Sequence, residues 1–188
     1  MTALYIIIVV LVLLAIYLFA TYNGLITSRN RTDESFSDID VQMKRRYDLI
    51  PNLVESVKGY VKQEKDVLEN VTKARANAIA AGGQGIEARG AAENQLTGAL
   101  RSVFAVAENY PDLKSSANFQ QLSTELTDTE NKLEAARRFY NANVRDFNTK
   151  VQVLPTSIFA GMLGFTKKDL FALSDADAAA KEPVKVQF

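Results

Sequence analysis

Histidine and cysteine are both absent from this chain of 188 residues. Their absence removes Cys/His zinc sites, haem ligation, thiol nucleophiles, Ser-His-Asp triads and phosphorelay histidines. A ferritin-like di-iron bundle falls with them, because its ligand set includes Glu-x-x-His pairs. Net charge is missing too: 22 Lys and Arg balance 22 Asp and Glu. A neutral chain lacks the basic excess of a nucleic-acid binder. Glycine, at 9, and proline, at 4, are too few for a linker-rich or collagenous protein. The chemistry left would run on carboxylates, Ser-Lys pairs or Tyr. The composition therefore favours a protein that binds, anchors or scaffolds, with no cofactor, no metal and no nucleic acid.

What the chain has is one long apolar run. Ala3 to Ala20 is 18 consecutive residues of Ala, Leu, Ile, Val, Tyr and Phe. At about 1.5 Å per residue it spans roughly 27 Å, close to the hydrocarbon core of a bilayer. Tyr5, Tyr17 and Tyr22 stand near its ends, where aromatic rings favour the interface. A cleaved signal peptide is the rival. It needs a positive n-region, a shorter apolar core and a small-x-small cleavage site. Only Met1 and Thr2 precede this run, and no Cys follows for a lipoprotein signal. The run is expected to be a retained single-pass anchor over residues 1–22. Arg29 and Arg31 follow it, then Lys44, Arg45 and Arg46, and no basic side chain precedes it. The positive-inside rule puts the N-terminus outside and the remainder in the cytoplasm. A chain starting near Arg29 is expected to be soluble and helical.

Residues 23–173 read as a helical bundle, all-α, with three long antiparallel helices and a short C-terminal one. Phe36, Ile39, Met43, Tyr47, Ile50, Val54, Val57, Val61, Leu68 and Val71 recur mostly at spacings of three and four. Pro51 is expected to kink or break that first helix, because it cannot donate to the carbonyl of Tyr47. Gly82-Gly83-Gln84-Gly85 reads as a turn and lacks the Gly-Lys-Ser/Thr ending of a phosphate loop. A second helix is predicted from about Ile86 to Glu108, ended by Asn109-Tyr110-Pro111-Asp112.

The third helix carries a coiled-coil-like seam: Phe119, Leu122, Leu126, Thr129, Leu133, Ala136, Tyr140, Val144, Phe147, Val151 and Leu154. Pro155 is expected to close it after about 42 residues, or roughly 63 Å. The second helix, about 23 residues or some 35 Å, is too short to cover it. The apolar segment from Ser157 to Leu173 can turn back and cover more. Any stripe still open needs a partner chain or a membrane surface. Residues 174–188 read as a flexible tail.

Two polar clusters are candidates for an interaction surface. Lys44, Arg45, Arg46, Tyr47 and Asp48, continuing to Pro51 and Asn52, would dock anionic lipid or a partner. The plainer reading is a solvated helix face with Asp40–Lys44 as an i,i+4 pair. On the third helix Glu130, Arg137, Tyr140 and Asn141 form the second cluster. Catalysis there would need a carboxylate with a strongly shifted pKa in a pocket. Helix-surface ion pairs such as Glu134–Arg138 explain the pattern without one. Asn141 and Asn148, seven apart near the seam, read as polar register-setting residues.

Taken in order, these residues resemble the LemA family of bacterial membrane proteins. The resemblance runs through Tyr22-Asn23, Ser37-Asp38-Ile39-Asp40-Val41-Gln42, and the run from Lys44 to Glu55. It continues in Glu108-Asn109-Tyr110-Pro111-Asp112-Leu113, Thr129-Glu130, Ala136-Arg137, Tyr140-Asn141, Phe147-Asn148, Pro155 and Gly164-Phe165. Phe36 departs from the Trp of many relatives but keeps an aromatic ring. The resemblance implies a helical bundle held to the bacterial cytoplasmic (inner) membrane by one helix, and it implies no particular activity. The function expected is a non-enzymatic, membrane-anchored scaffold or adaptor, self-associating as a homo-oligomer or meeting another membrane protein. The alternative is a cryptic carboxylate-dependent hydrolase or lipid-acting enzyme.

Overall fold

The computed structural model describes residues 1–61 and 64–171, and they contain helices and no strand. The helices are α1 (Thr2–Lys58), α2 (Lys65–Ala80), α3 (Ile86–Ala107), α4 (Pro111–Ser115), α5 (Ala117–Gln152) and α6 (Thr156–Met162). The tail expected over 174–188 lies outside the described residues. The all-α expectation holds, and several boundaries move.

α1 runs without interruption from the apolar run through Pro51 to Lys58. The expected break at Pro51 does not occur, and the reason is a side chain. The Tyr47 carbonyl that Pro51 leaves unbonded accepts from the Arg75 Nε of α2 at 2.7 Å. The chain breaks instead after Lys58, at Gly59-Tyr60, and resumes helically at Lys65. The glycine cluster does end α2, through a 3₁₀ turn at Ala81–Gly83. Pro111 occupies the first turn of α4, where its missing N–H costs nothing. The third predicted helix is α5, which stops at Gln152 with 36 residues and not about 42. Leu154 therefore leaves the seam and is 76% exposed.

The contacts divide into two compact units. The first comprises Met1–Ser37 and Phe139–Leu170. Its core joins Leu25 of α1, Phe147 of α5, Ala160 of α6 and Phe165. Gly164 places Phe165 there. Its φ of +75° is a left-handed conformation that glycine takes without a Cβ penalty. With it, the N–H of Phe165 bonds back to the carbonyl of Ala160 at 2.9 Å, and Gly164 N–H to Gly161 at 3.2 Å. This is the Schellman ending of a helix, with Phe165 and Ala160 supplying its apolar contact. Asn148 receives the next stretch of chain: its amide donates to the Lys168 carbonyl and accepts from the Lys168 N–H, both at 2.9 Å. Asn148, read from the sequence as a polar register-setting residue, thus clamps a loop of its own chain.

The second unit comprises Asp38–Arg138 with Phe171 among its described residues. Ile50, Leu53, Val57, Val71, Leu96, Leu100, Val103, Leu113, Phe119, Leu122 and Leu126 form one buried cluster from α1, α2, α3, α4 and α5. At its edge Tyr110 donates to the carboxylate of Glu64, 2.7 Å from each oxygen, pinning the α3–α4 corner to the start of α2.

Candidate functional site: a buried ion network on three helices

In the second unit the buried stripe of α1 runs through Ile39, Met43, Arg46, Ile50, Leu53 and Val57, a 4-3-4-3-4 spacing with a cation in the middle. α3 buries Arg89 and Glu93 ahead of Leu96, Leu100, Val103 and Ala107, and α5 buries Arg137 with Leu133, Tyr140 and Val144. Each helix therefore brings charge to its inward face. Glu93 is 0% exposed, Arg46 1% and Arg137 5%.

A carboxylate buried alone would neutralise or destabilise the fold, so its partners decide its state. Arg46 Nη1 lies 3.3 Å from Glu93 Oε2, and the Tyr47 hydroxyl donates to Glu93 Oε1. The other arm of Arg46, Nη2, reaches Glu130 Oε2 at 3.0 Å and donates to Thr97 Oγ1 at 2.6 Å. Thr97 passes its own proton to Glu130 Oε1 at 3.2 Å. Arg137 Nη2 stands 4.0 Å from Glu93 Oε2, and its guanidinium lies over the Phe171 ring, 4.9 Å from the centroid. Two cations and two anions close on one another, so the cluster carries no net charge. Alongside it Arg89 of α3 pairs with Asp40 and touches the Met43 sulfur at 3.2 Å.

The environment shifts two of these groups. Burial, and then the bond to Glu93, raises the Tyr47 phenol above its ordinary 10.0. Desolvation lowers the Arg137 guanidinium below its usual range, against the attraction of Glu93 and Glu130. Elsewhere Tyr140 stacks on Phe36 at 5.5 Å and donates to the Asp169 carbonyl at 3.1 Å. Its phenol is pushed up to about 12 by burial, then by Asp169 and Asp33.

The sequence candidates divide accordingly. Arg46, Tyr47, Glu130 and Arg137 meet in the network. Tyr140 and Asn141 are buried in the first unit. Lys44, Arg45, Asp48, Pro51 and Asn52 are exposed. Lys44 pairs with Asp48 at 2.8 Å, while Asp40, its expected partner, goes to Arg89. Glu134 and Arg138 do pair, at 3.7 Å. Glu93 and Thr97 are not among the sequence candidates, although Glu93 stands three residues before Leu96 and seven before Leu100.

The space at the network is small: a pocket of about 150 Å³ lies beside Arg46, Thr97 and Glu130. The largest groove, about 710 Å³, is lined by Val54, Leu68 and three lysines, with Glu69 its one carboxylate. A second, about 630 Å³, passes Asn52 and holds two, Glu55 and Glu125. Glu55 is 72% exposed and paired with Lys58, and Glu125 accepts from Gln121. Among the described residues no group of three or more carboxylates could hold a metal ion.

The sequence profile of the LemA family matches residues 35–188. A Protein LemA from Metamycoplasma hominis is 28% identical over 158 residues, covering 82% of this chain and 70% of that protein. Magnetosome protein MamQ of Magnetospirillum gryphiswaldense is 24% identical over 174 residues, covering 80% of this chain and 64% of the relative. Magnetosome protein MamQ 2 of Paramagnetospirillum magneticum matches to the same extent, 24% over 174 residues. The chain thus spans about two thirds of the length of these relatives.

Proposed function

The chain belongs to the LemA family, and on that premise we propose that it is a non-enzymatic, membrane-anchored scaffold or adaptor. The observation that carries this reading is the use made of the buried charges. Glu93, the carboxylate most removed from water, has both oxygens engaged by Arg46 and Tyr47 and no surface for a substrate. Such a network contributes little net stability, since desolvation offsets much of the attraction. What it does is fix which turn of α1 meets which turn of α3 and α5. For the carboxylate-dependent alternative, the groove at Asn52 offers Glu55, which is exposed and paired with Lys58, and the pocket beside Arg46, Thr97 and Glu130 is only about 150 Å³.

The anchor is the exposed apolar stretch of α1, the one described helix long and apolar enough to cross a bilayer. The N-terminus lies outside and the chain that follows the anchor lies in the cytoplasm, on the strength of Arg29 and Arg31. Lys44, Arg45, Asp48, Pro51 and Asn52 are the part of the candidate surface open to a partner. Self-association is the natural mode of such a scaffold, because a common plane raises the effective concentration of like chains. Its support differs from the sequence argument, for the α5 seam from Phe119 to Phe147 is covered within the chain. Val41, Ile79 and Phe139 are among the exposed apolar positions open to neighbours. Native mass spectrometry of the full chain in detergent should give multiples of 20.8 kDa. Monomer alone, with no crosslinking in intact membranes, would leave an adaptor for another protein.

A further inference from the structure

From Val151 to Thr166 no residue carries a charge, while Lys150 and Lys167 flank the stretch. α6 lies inside it and is apolar on both sides. Ala160 faces the core with Phe165, whereas Ile158, Met162 and Leu163 face out, Met162 being 84% exposed. Apart from Thr156 and Ser157 in its first turn α6 is apolar, and such a helix belongs in a core or in a membrane; only one side of α6 is in a core.

Its neighbour decides between water and lipid. Phe159, Met162 and Leu163 form one wall of an apolar groove of about 370 Å³, and Ala15, Leu18, Phe19 and Tyr22 of α1 form the other. Ala15 lies roughly 8 Å inside the end of the apolar run, at about 1.5 Å per residue. A groove reaching that depth opens into hydrocarbon. The segment is held there firmly: Tyr22 packs edge-on against Phe165 at 6.0 Å, and Arg29 sits over the same ring at 5.6 Å. Arg29, nine residues or about 14 Å beyond Ala20 along α1, then stands on the water side of the headgroup layer.

We infer that α6 is a second membrane contact, lying at the headgroup–acyl boundary, and that the groove between α6 and the anchor holds a lipid acyl chain. The occupant is lipid and not a second copy because one wall of the groove is the anchor itself, with Ala15, Leu18 and Phe19 inside the apolar run. Ile158 and Met162, four apart, share the outer face of α6, while Leu154 and Leu170 are exposed beyond its two ends, and a fluid solvent covers such a scattered surface where one helix face cannot. The inference rests on the anchor reading and adds to it.

The chain has no tryptophan, so single tryptophans report depth without background. Full-length Met162→Trp, Ile158→Trp, Leu11→Trp and Phe139→Trp would be reconstituted in phosphatidylcholine vesicles brominated either near the headgroup or near the chain end. All four positions are exposed, so the substitutions leave the core intact. Met162→Trp and Ile158→Trp should emit to the blue and be quenched chiefly by bromine near the headgroup. Leu11→Trp should be quenched by the deep bromine. Phe139→Trp, roughly 20 Å along α5 from Gln152, should be quenched by neither. Quenching at Leu11→Trp with red, unquenched emission at positions 158 and 162 would overturn the inference and leave the anchor standing. Blue emission there without quenching would mean a protein cover, such as a second copy, and would overturn it too. Leu11→Trp unquenched would sink the anchor reading and this inference together.

Discussion

Pro51 has no N–H to offer the carbonyl of Tyr47, and the guanidinium of Arg75 offers one from another helix. One residue's deficit becomes a tertiary contact. Arg75→Ala should therefore cost about 1–3 kcal/mol, the penalty for orphaning a partly buried acceptor. In a Pro51→Ala background the new N–H can take the carbonyl, and the same change should cost at least about 0.5 kcal/mol less. Urea midpoints of the four proteins in mild detergent measure this coupling; equal costs in both backgrounds would show that Arg75 is no substitute. Tyr140 makes a second residue-level statement. Its folded pKa of about 12 is raised above the ordinary 10.0, so the stability it contributes is complete below pH 10. It is lost as pH climbs from about 10 to about 12, because the unfolded chain gives up its phenolic proton first. Tyr140→Phe should flatten that part of the stability profile. The fall beyond it belongs to Tyr47, whose phenol is raised by burial and Glu93. An unchanged slope would mean that Tyr140 does not feel its surroundings.

Among elements, those whose limits follow from the backbone were legible in the sequence. Gly82 to Gly85 and Pro111 act through φ, ψ and a missing donor, and both punctuate the chain where expected. Limits that depend on distant side chains were not legible. The periodicity of α1 runs on past Gly59 into Val61 and Leu68, and this masks Gly59, the local sign of the true break. The continuity at Pro51 needs Arg75, far along the chain. The network was half legible for a similar reason. Tyr47 and Ala136 look like the stripe residues, and only packing shows that their neighbours Arg46 and Arg137 point inward. A charge interrupting a 3-4 repeat was the available signal. The α5 seam itself is where sequence and structure agree most fully. Leu126→Ala, Leu133→Ala and Phe147→Ala should each cost about 2–5 kcal/mol, the range for emptied core sites. Lys132→Ala should cost less than about 0.5 kcal/mol, since its side chain is half exposed and joined only to Asp128. Equal small costs at all four would mean the seam is no core.

The whole molecule is bounded by its anchor. The full chain should remain in membranes through alkaline carbonate, and release would refute integral insertion. In intact spheroplasts an impermeant maleimide should label a cysteine placed at Thr2 but not one at Asn131; the opposite pattern would invert the topology. The soluble chain expected from Arg29 needs an earlier start. Leu25 is part of the first unit's core and Tyr22 packs on Phe165, so a cut at Thr21 preserves what a cut at Arg29 strips away.

α1 crosses from Ala20 to Leu25 as unbroken helix, with Gly24 inside it. That splice is a mechanical coupling. A head on a loose tether turns freely about its attachment and meets its neighbours at random bearings. Here the anchor and the rest of the first unit are joined by one continuous helix, so a torque on either is delivered to the other. Adding a single residue at Gly24 would swing one against the other by about 100°. The anchor is then a compass as well as a mooring: the side of it that faces a neighbour sets the bearing at which Phe139 and the rest of the first unit are presented along the membrane.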